Sequence, residues 1–223
     1  MSIGVIVLLG APGSGKGTQA KALAAKNNAW IQISTGDLFR AEIASGSALG
    51  LSVKDIMASG KLVSDDVTNQ VFESQVKQIL GKRPAKVLML DGYPRTASQA
   101  ESLKLFCAGN LGLSQPVVIE FHIDEDIVVK RLSDRLVNAK TGKIYHRVSN
   151  PPKKAGVCDE DGSALIQRPD DQPETIRKRF AIYRDSRDGI VQVLGGEKSL
   201  KKVNADQSPD QVSIELGRAI EAL

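Results

Sequence analysis

The sequence predicts an α/β protein built around a parallel sheet. Three observations carry that reading. Apolar runs such as Val-Leu-Met-Leu at 87–90 show no alternation, which suits strands buried on both faces. Helical patterns lie between the runs, as right-handed crossovers between parallel strands require. A glycine-rich loop containing a lysine joins the first run to the first helix.

Residues 5–9 read as the first strand. The run could suggest a signal peptide, but no Lys or Arg precedes it and no small-residue cleavage site follows. The expectation is therefore a buried strand of a cytoplasmic protein. A helix follows at 16–26 and a strand at 30–33. Residues 35–63 hold short helical pieces punctuated by Gly36, Gly46, Gly50 and Gly60, with no strand. Helix 64–80, strand 87–90, helix 97–108, strand 117–123 and helix 124–136 restore the alternation. Residues 135–168 break it again, being rich in Gly, Pro, Lys, Arg and Asp with poor helical periodicity. Helix 172–194, strand 200–203 and helix 209–222 complete the chain. Both irregular stretches read as insertions of the kind that form lids or binding loops.

Composition supports one core. The chain has 223 residues, 41% hydrophobic and 25% charged, which is enough apolar material for folding. No apolar run approaches the ~20 residues of a membrane helix. Aromatics are only 4%, which weighs against a nucleic-acid reader built on stacking. The net charge of +4 chooses no partner by itself. Cys107 and Cys158 stand far apart and read as free thiols in a reducing compartment.

Residues 10–18, Gly-Ala-Pro-Gly-Ser-Gly-Lys-Gly-Thr, carry the strongest signal. Glycines let backbone N–H groups turn toward phosphate oxygens, the helix N-terminus adds partial positive charge, and Lys16 adds a mobile full one. The hydroxyl that usually follows the lysine is displaced: Gly17 stands there and Thr18 comes next. Nucleotide phosphate binding follows, but the loop leaves a GTPase switch, an ATP-driven motor and a small-molecule kinase open. Asp91 ends the strand at 87–90, where ligands sit in parallel sheets. It reads as a Mg²⁺ holder acting through water, the alternative being a cap on the next turn. Arg40, Arg95, Arg131, Arg135, Arg168, Arg177 and Arg179 recur where core meets insertions. Singly they read as solvated charges. Together they suit a cleft where two polyphosphates meet. Asp170 and Asp171 read as their orienters, as helix caps, or as both.

The motifs GAPGSGKGTQA at 10–20, ISTGDLFR at 33–40, GKLV at 60–63, LDGYPRTASQA at 90–100, GKIYH at 142–146, NPP at 150–152, RPDDQPETIRKR at 168–179 and NADQSPD at 204–210 resemble, in that order, adenylate kinase in its long form with a full lid. The resemblance covers nearly the whole chain. It implies a P-loop NTPase-like three-layer fold, with a five-stranded parallel sheet flanked by helices and two inserted mobile subdomains. The division implied is a core of 1–33, 64–133 and 172–223, a monophosphate-binding insertion at 34–63 and a lid at 134–171.

The reaction implied is ATP + AMP ⇌ 2 ADP with Mg²⁺. Carried over by position, Lys16, Arg95, Arg135, Arg168 and Arg179 would be catalytic. ATP would meet Gly13, Ser14, Gly15, Lys16, Gly17 and Thr18, then Arg131 stacked on adenine, Arg135, Ile144, Tyr145 and the backbone of Gln207. AMP would meet Thr35, Arg40, Lys61, Leu62, Val63, Gly92, Tyr93, Pro94 and Arg95, with Arg168 and Arg179 on phosphate and Gln99 reading the adenine edge. Some family members hold zinc in the lid with four ligands. The matching positions here are Asn138, Thr141, Cys158 and Asp161, of which the first two are poor ligands. No zinc is therefore expected, and a hydrogen-bonded polar cluster would take its place. The partners expected are ATP, AMP and ADP, with no nucleic acid and no membrane, and the family tendency is a monomer. The rivals are a related kinase using GTP as donor or UMP/CMP as acceptor, and a nucleotide-binding regulator without turnover.

Overall fold

The computed structural model describes residues 3–82, 84–113 and 115–221. Five parallel strands form the central sheet: β1 (Gly4–Gly10), β2 (Trp30–Ser34), β3 (Val87–Asp91), β4 (Val117–His122) and β8 (Leu200–Asn204). Their order is β2-β3-β1-β4-β8. The chain moves outward from β1 in both directions, so the loop leaving β1 sits at the switch point where α/β sheets bind ligands. Register brings Leu8 beside Asp91, and Asp91 beside Ser34, so the functional strand ends are nearly flush.

The missing alternation in the apolar runs now has its cause. Val5, Val7 and Leu9 pack into one buried cluster with Ile33, Leu90 and Phe72. Ile6 and Leu8 point the other way, into a second cluster with Met89, Phe121 and Val203. Each face is covered by helices: α1 (Lys16–Lys26), α4 (Asp65–Lys82), α5 (Ala97–Phe106), α6 (Glu125–Ser133), α7 (Pro173–Val193) and α8 (Pro209–Glu221). A π-helical turn at Cys107–Leu111 prolongs α5. Ala222, the last residue of the helix predicted at 209–222, lies outside the described residues.

The first irregular stretch contains α2 (Thr35–Ser45) and α3 (Ala48–Ala58). Ser34 caps α2 by accepting from the Asp37 N–H, and Ser47 caps α3 by accepting from the Gly50 N–H. Phe39, Val53 and Val63 give this piece a core of its own. The second stretch departs from the sequence reading. The helix predicted to run to 136 stops at Ser133, and Arg135–Asn138 is strand β5. It pairs antiparallel with β6 (Ile144–His146) on one side and β7 (Leu165–Ile166) on the other. Leu136, Tyr145, Cys158 and Leu165 form its small core. The strands have four, three and two residues, too short for periodicity to register.

One polar anchor ties α7 to the sheet. Glu120, buried on β4, accepts from Arg187 Nε at 2.8 Å and Nη2 at 2.6 Å, and from the Tyr183 hydroxyl at 2.7 Å. Burial raises the Glu120 carboxyl, but the hydrogen bonds from Arg187 and Tyr183 outweigh it and hold it below its ordinary range. Arg187→Ala would leave a buried carboxylate with only Tyr183. We expect a loss of roughly 3 kcal/mol in denaturant unfolding near pH 7. Because the folded carboxyl titrates below its unfolded value, wild-type stability from this anchor is present at neutral pH and lost on acidification below about pH 4. The wild-type and variant unfolding curves should converge there.

Candidate active site

The loop between β1 and α1 turns on glycines. Gly13 has φ of 82°, and a Cβ on it would lie 2.8 Å from the Leu132 side chain. Lys16 opens α1 and is buried, with Nζ donating to the Gly10 and Ala11 carbonyls at 2.7 Å each and to Ser14 Oγ at 3.1 Å. Its pKa falls to about 8. Loss of hydration is the largest cause; Asp91 opposes it, while Arg95 and Arg179 add repulsion.

Gly17 explains the displaced hydroxyl. A Cβ at this position would stand 2.7 Å from Asp91 Oδ2, so any larger residue would push the carboxylate away. The same oxygen accepts from Gln32 Nε2 at 3.3 Å. Gln32, on β2, was not singled out in the sequence. It is one residue in an apolar run, and only the β2–β3 pairing brings it to Asp91.

A cavity of about 210 Å³ opens above the strand ends. Gly13, Gly15, Lys16, Gly17 and Thr18 line its floor, with Asp91, Gly92, Pro94 and Arg95 alongside. Arg135, Ile144, Arg168 and Arg179 face it from the lid side, and Arg40 and Leu62 from the first insertion. A smaller adjoining cavity, about 50 Å³, is lined by Thr35, Lys61, Leu62, Val63 and Gln99. Arg40, Arg95 and Arg179 border both.

Carboxylates hold Arg40, Arg135, Arg168 and Arg179, while Arg95 Nε donates to the Gly92 carbonyl at 2.8 Å. Asp171 is fully buried and takes both Nε (2.8 Å) and Nη2 (2.5 Å) of Arg135. Arg179 pairs with Asp170 at 2.9 Å and Asp171 at 3.5 Å. Arg40 pairs with Asp37 at 2.6 Å, with Lys21 at 3.5 Å and Arg168 at 4.0 Å from the same carboxylate. Burial raises Asp37 and Asp170, yet the surrounding cations outweigh it and hold both below the ordinary range. Burial and then Arg–Arg repulsion disfavour charge on Arg168, as burial and Arg179 do on Arg95. Guanidinium does not surrender its proton, so the strain is expressed as affinity for anions.

Several residues expected on the nucleotides do not line either cavity. Tyr145 was expected on ATP, but its ring is in the lid core and its hydroxyl accepts from the Asp159 N–H at 2.9 Å. Hydrophobic burial of that strand's inward face turned it away. Tyr93 was expected on AMP, but its ring stacks on Phe72 with centroids 4.3 Å apart, and its hydroxyl donates to Asn69 at 2.7 Å. Ser14 is buried beneath the loop and does not line the cavity. Arg131 and Gln207 lie together outside it: Arg131 donates to the Ala205 and Gln207 carbonyls at 2.8 and 3.2 Å.

The lid quartet is polar and bonded. Asn138 Nδ2 donates to Asp161 at 2.9 Å, and Asn138 Oδ1 accepts from the N–H groups of Lys140 and Thr141 at 2.8 and 3.2 Å. Asp161 also accepts from the Ser163 hydroxyl and N–H. Hydrogen bonds from Asn138 and Ser163 hold its carboxyl far below the ordinary range. Among the described residues, no group of three or more His, Cys, Asp or Glu could hold a metal ion.

A family model described as adenylate kinase matches residues 8–198. An adenylate kinase of an Anaeromyxobacter species is 40% identical over 211 residues, covering 93% of this chain and 95% of that protein. An adenylate kinase of Fervidobacterium nodosum is 39% identical over 209 residues, covering 93% of each.

A polyphosphate bound in the cleft would give Lys16 an anionic partner and raise its pKa. At pH 8 about half of the unliganded lysine is neutral, and ligand binding should draw roughly half a proton from solvent onto this residue. Calorimetry of ATP binding in buffers of different ionisation enthalpy reads that uptake, and Lys16→Met should abolish it.

Proposed function

The chain belongs to the adenylate kinase family and interconverts ATP plus AMP with two ADP, and on that premise we propose that the two adjoining cavities are its donor and acceptor halves. The observation carrying this is that Arg40, Arg95 and Arg179 border both cavities. A phosphoryl group passing between nucleotides needs cationic cover at that junction. An acceptor phosphate oxygen forms the new P–O bond while the bond to the β-phosphate breaks, leaving ADP on each side. Catalysis is then alignment and charge neutralisation more than covalent help.

ATP phosphates lie on the loop from Gly13 to Thr18. Lys16 exchanges the carbonyls of Gly10 and Ala11 for phosphate oxygens and follows the transferred group. Arg135, Arg168 and Arg179 close from the lid side, exchanging Asp37, Asp170 and Asp171 for phosphates. Arg131, fixed by two carbonyls, presents its guanidinium plane to adenine beside the Gln207 backbone. Ile144 contacts ATP directly, and Tyr145 contributes through its backbone. On the acceptor side Thr35, Arg40, Lys61–Val63 and Gly92–Arg95 hold AMP, with Gln99 at its base. Tyr93 acts there through its backbone.

The donors near the loop suit Mg²⁺, a hard cation that prefers oxygen and retains its waters. Asp91 and the Thr18 hydroxyl supply oxygen, and Gly17 leaves Asp91 room beside the loop. Asp91 would hold the ion through water, and the ion would neutralise phosphate charge. We assign 34–63 and 134–171 as the moving pieces, since each carries its own small core. Closing them excludes water as a competing acceptor. No helix among the described residues is long and apolar enough to cross a membrane. A cytoplasmic monomer with no nucleic-acid or membrane partner is the reading proposed.

The family and its relatives' names do not favour the GTP, UMP/CMP or regulator alternatives. A coupled assay pairing AMP, CMP, UMP and GMP with ATP and GTP should give fast turnover with ATP and AMP. Lys16→Ala and Arg95→Ala should each lower it by about 10²–10³-fold while melting cooperatively. Near-normal turnover in either would remove that residue's role. The lid cluster occupies the ligand positions of zinc-bearing relatives, so elemental analysis of purified protein should find no stoichiometric zinc; one zinc per chain would overturn that assignment.

A further inference from the structure

Gln99, which the proposed function places at the acceptor base, is held by two neighbours of opposite kind. Its Oε1 accepts from the Arg95 backbone N–H at 2.7 Å. Its Nε2 donates to Asp65 Oδ1 at 2.8 Å. Asp65 is itself fixed, because its Oδ2 accepts from the Thr96 hydroxyl at 2.9 Å. Thr96 caps α5 with the same oxygen, accepting from the Gln99 N–H at 3.1 Å. Gln99 is buried, and it lines the smaller cavity.

A glutamine amide is nearly symmetric in shape and opposite in hydrogen-bonding sense at its two ends. Rotated by half a turn, it presents a donor where it had an acceptor. Here rotation would set Oε1 against a carboxylate and the NH₂ against a backbone N–H. Neither pairing can form a hydrogen bond. Each clamp uses one hydrogen or one lone pair, leaving one N–H and one acceptor site on the amide. We propose that Asp65, with the Arg95 N–H, locks the polarity of the Gln99 amide and so makes the acceptor site specific for a 6-amino purine over a 6-oxo purine. Asp65 is a positioning residue that acts through Gln99.

The chemistry follows from the purines. At position 6 adenine offers an amino donor, which the locked Oε1 accepts, beside a ring nitrogen that accepts from Nε2. A 6-oxo purine offers an acceptor at position 6, so Oε1 would face another lone pair. It would bind well only to a rotated amide. A site built to satisfy one pattern rejects its reverse because buried polar groups are left unpaired.

This inference rests on Gln99 touching the base, so the experiment separates the two. The measured quantity is the ratio of kcat/KM for IMP to that for AMP, with MgATP as donor. IMP differs from AMP in having the 6-oxo group with a protonated ring nitrogen beside it. A ratio taken within one variant cancels any loss of folded protein. Wild type should prefer AMP strongly. Asp65→Asn keeps the shape but can donate or accept, so it removes the carboxylate half of the lock and leaves only the Arg95 N–H to oppose the rotated amide. It should raise the ratio by roughly tenfold or more, chiefly through a lower KM for IMP. Asp65→Glu, still acceptor-only, should keep the wild-type ratio. Gln99→Leu should also collapse the discrimination, and adding Asp65→Asn to it should change the ratio no further. If Gln99→Leu shifts the ratio and Asp65→Asn does not, the lock is wrong and the base pocket stands. If Gln99→Leu leaves the ratio unchanged, the base-pocket reading fails and takes the lock with it.

Discussion

The constraint on which this structure depends is the crowding of cations at one end of a sheet. Lys16, Arg40, Arg95, Arg135, Arg168 and Arg179 all line one cleft. Unopposed, such charges would repel one another and destabilise the fold. Asp37, Asp170 and Asp171 pair with four of the arginines, while Asp91 supports charge on Lys16. The unliganded protein is thus a set of cations held on temporary counter-charges. Phosphate oxygens are better partners, since they accept from several donors at once and carry more charge. On the proposed assignment, ligand binding is an exchange of partners within an organised site.

The sheet topology makes that exchange local. The switch point at β1 puts the glycine loop, Asp91 and the α2 N-terminus at adjacent strand ends. Gly17 allows the Asp91 carboxylate to lie against the start of α1, and Gln32 steadies it. The long helix α7 carries Arg179 near its start and Tyr183 and Arg187 further along. Its anchor on Glu120 ties an arginine of the cleft to an inner strand.

Much of this was legible in the chain. Five strands and six core helices followed from continuous apolar runs and helical spacing, with ends displaced by one or two residues where helices fray. The exception was the helix extended to 136, where Arg135-Leu-Val continues an apolar pattern but pairs as β5. Val137 pairs with Ile144 nearby and with Ile166 far along the chain, and strands this short leave no period-two signal to read. The glycine loop and the arginines were readable because their residue types carry chemistry at any orientation. Tyr93 and Tyr145 were not, because a motif names a residue without saying which way its ring turns. Gln32, Asp37 and Asp65 escaped notice for the complementary reason: each is an ordinary residue that long-range packing sets against a functional one.

The bonded polar cluster of the lid has a consequence for where such a protein can work. Asn138, Asp161 and Ser163 hold one another through amide, carboxylate and hydroxyl groups. None of these bonds depends on a metal ion, so chelation would leave them in place. The flap's one thiol, Cys158, is buried in the lid core against the Tyr145 hydroxyl. While the flap stays folded, that packing keeps the thiol away from dissolved oxidants.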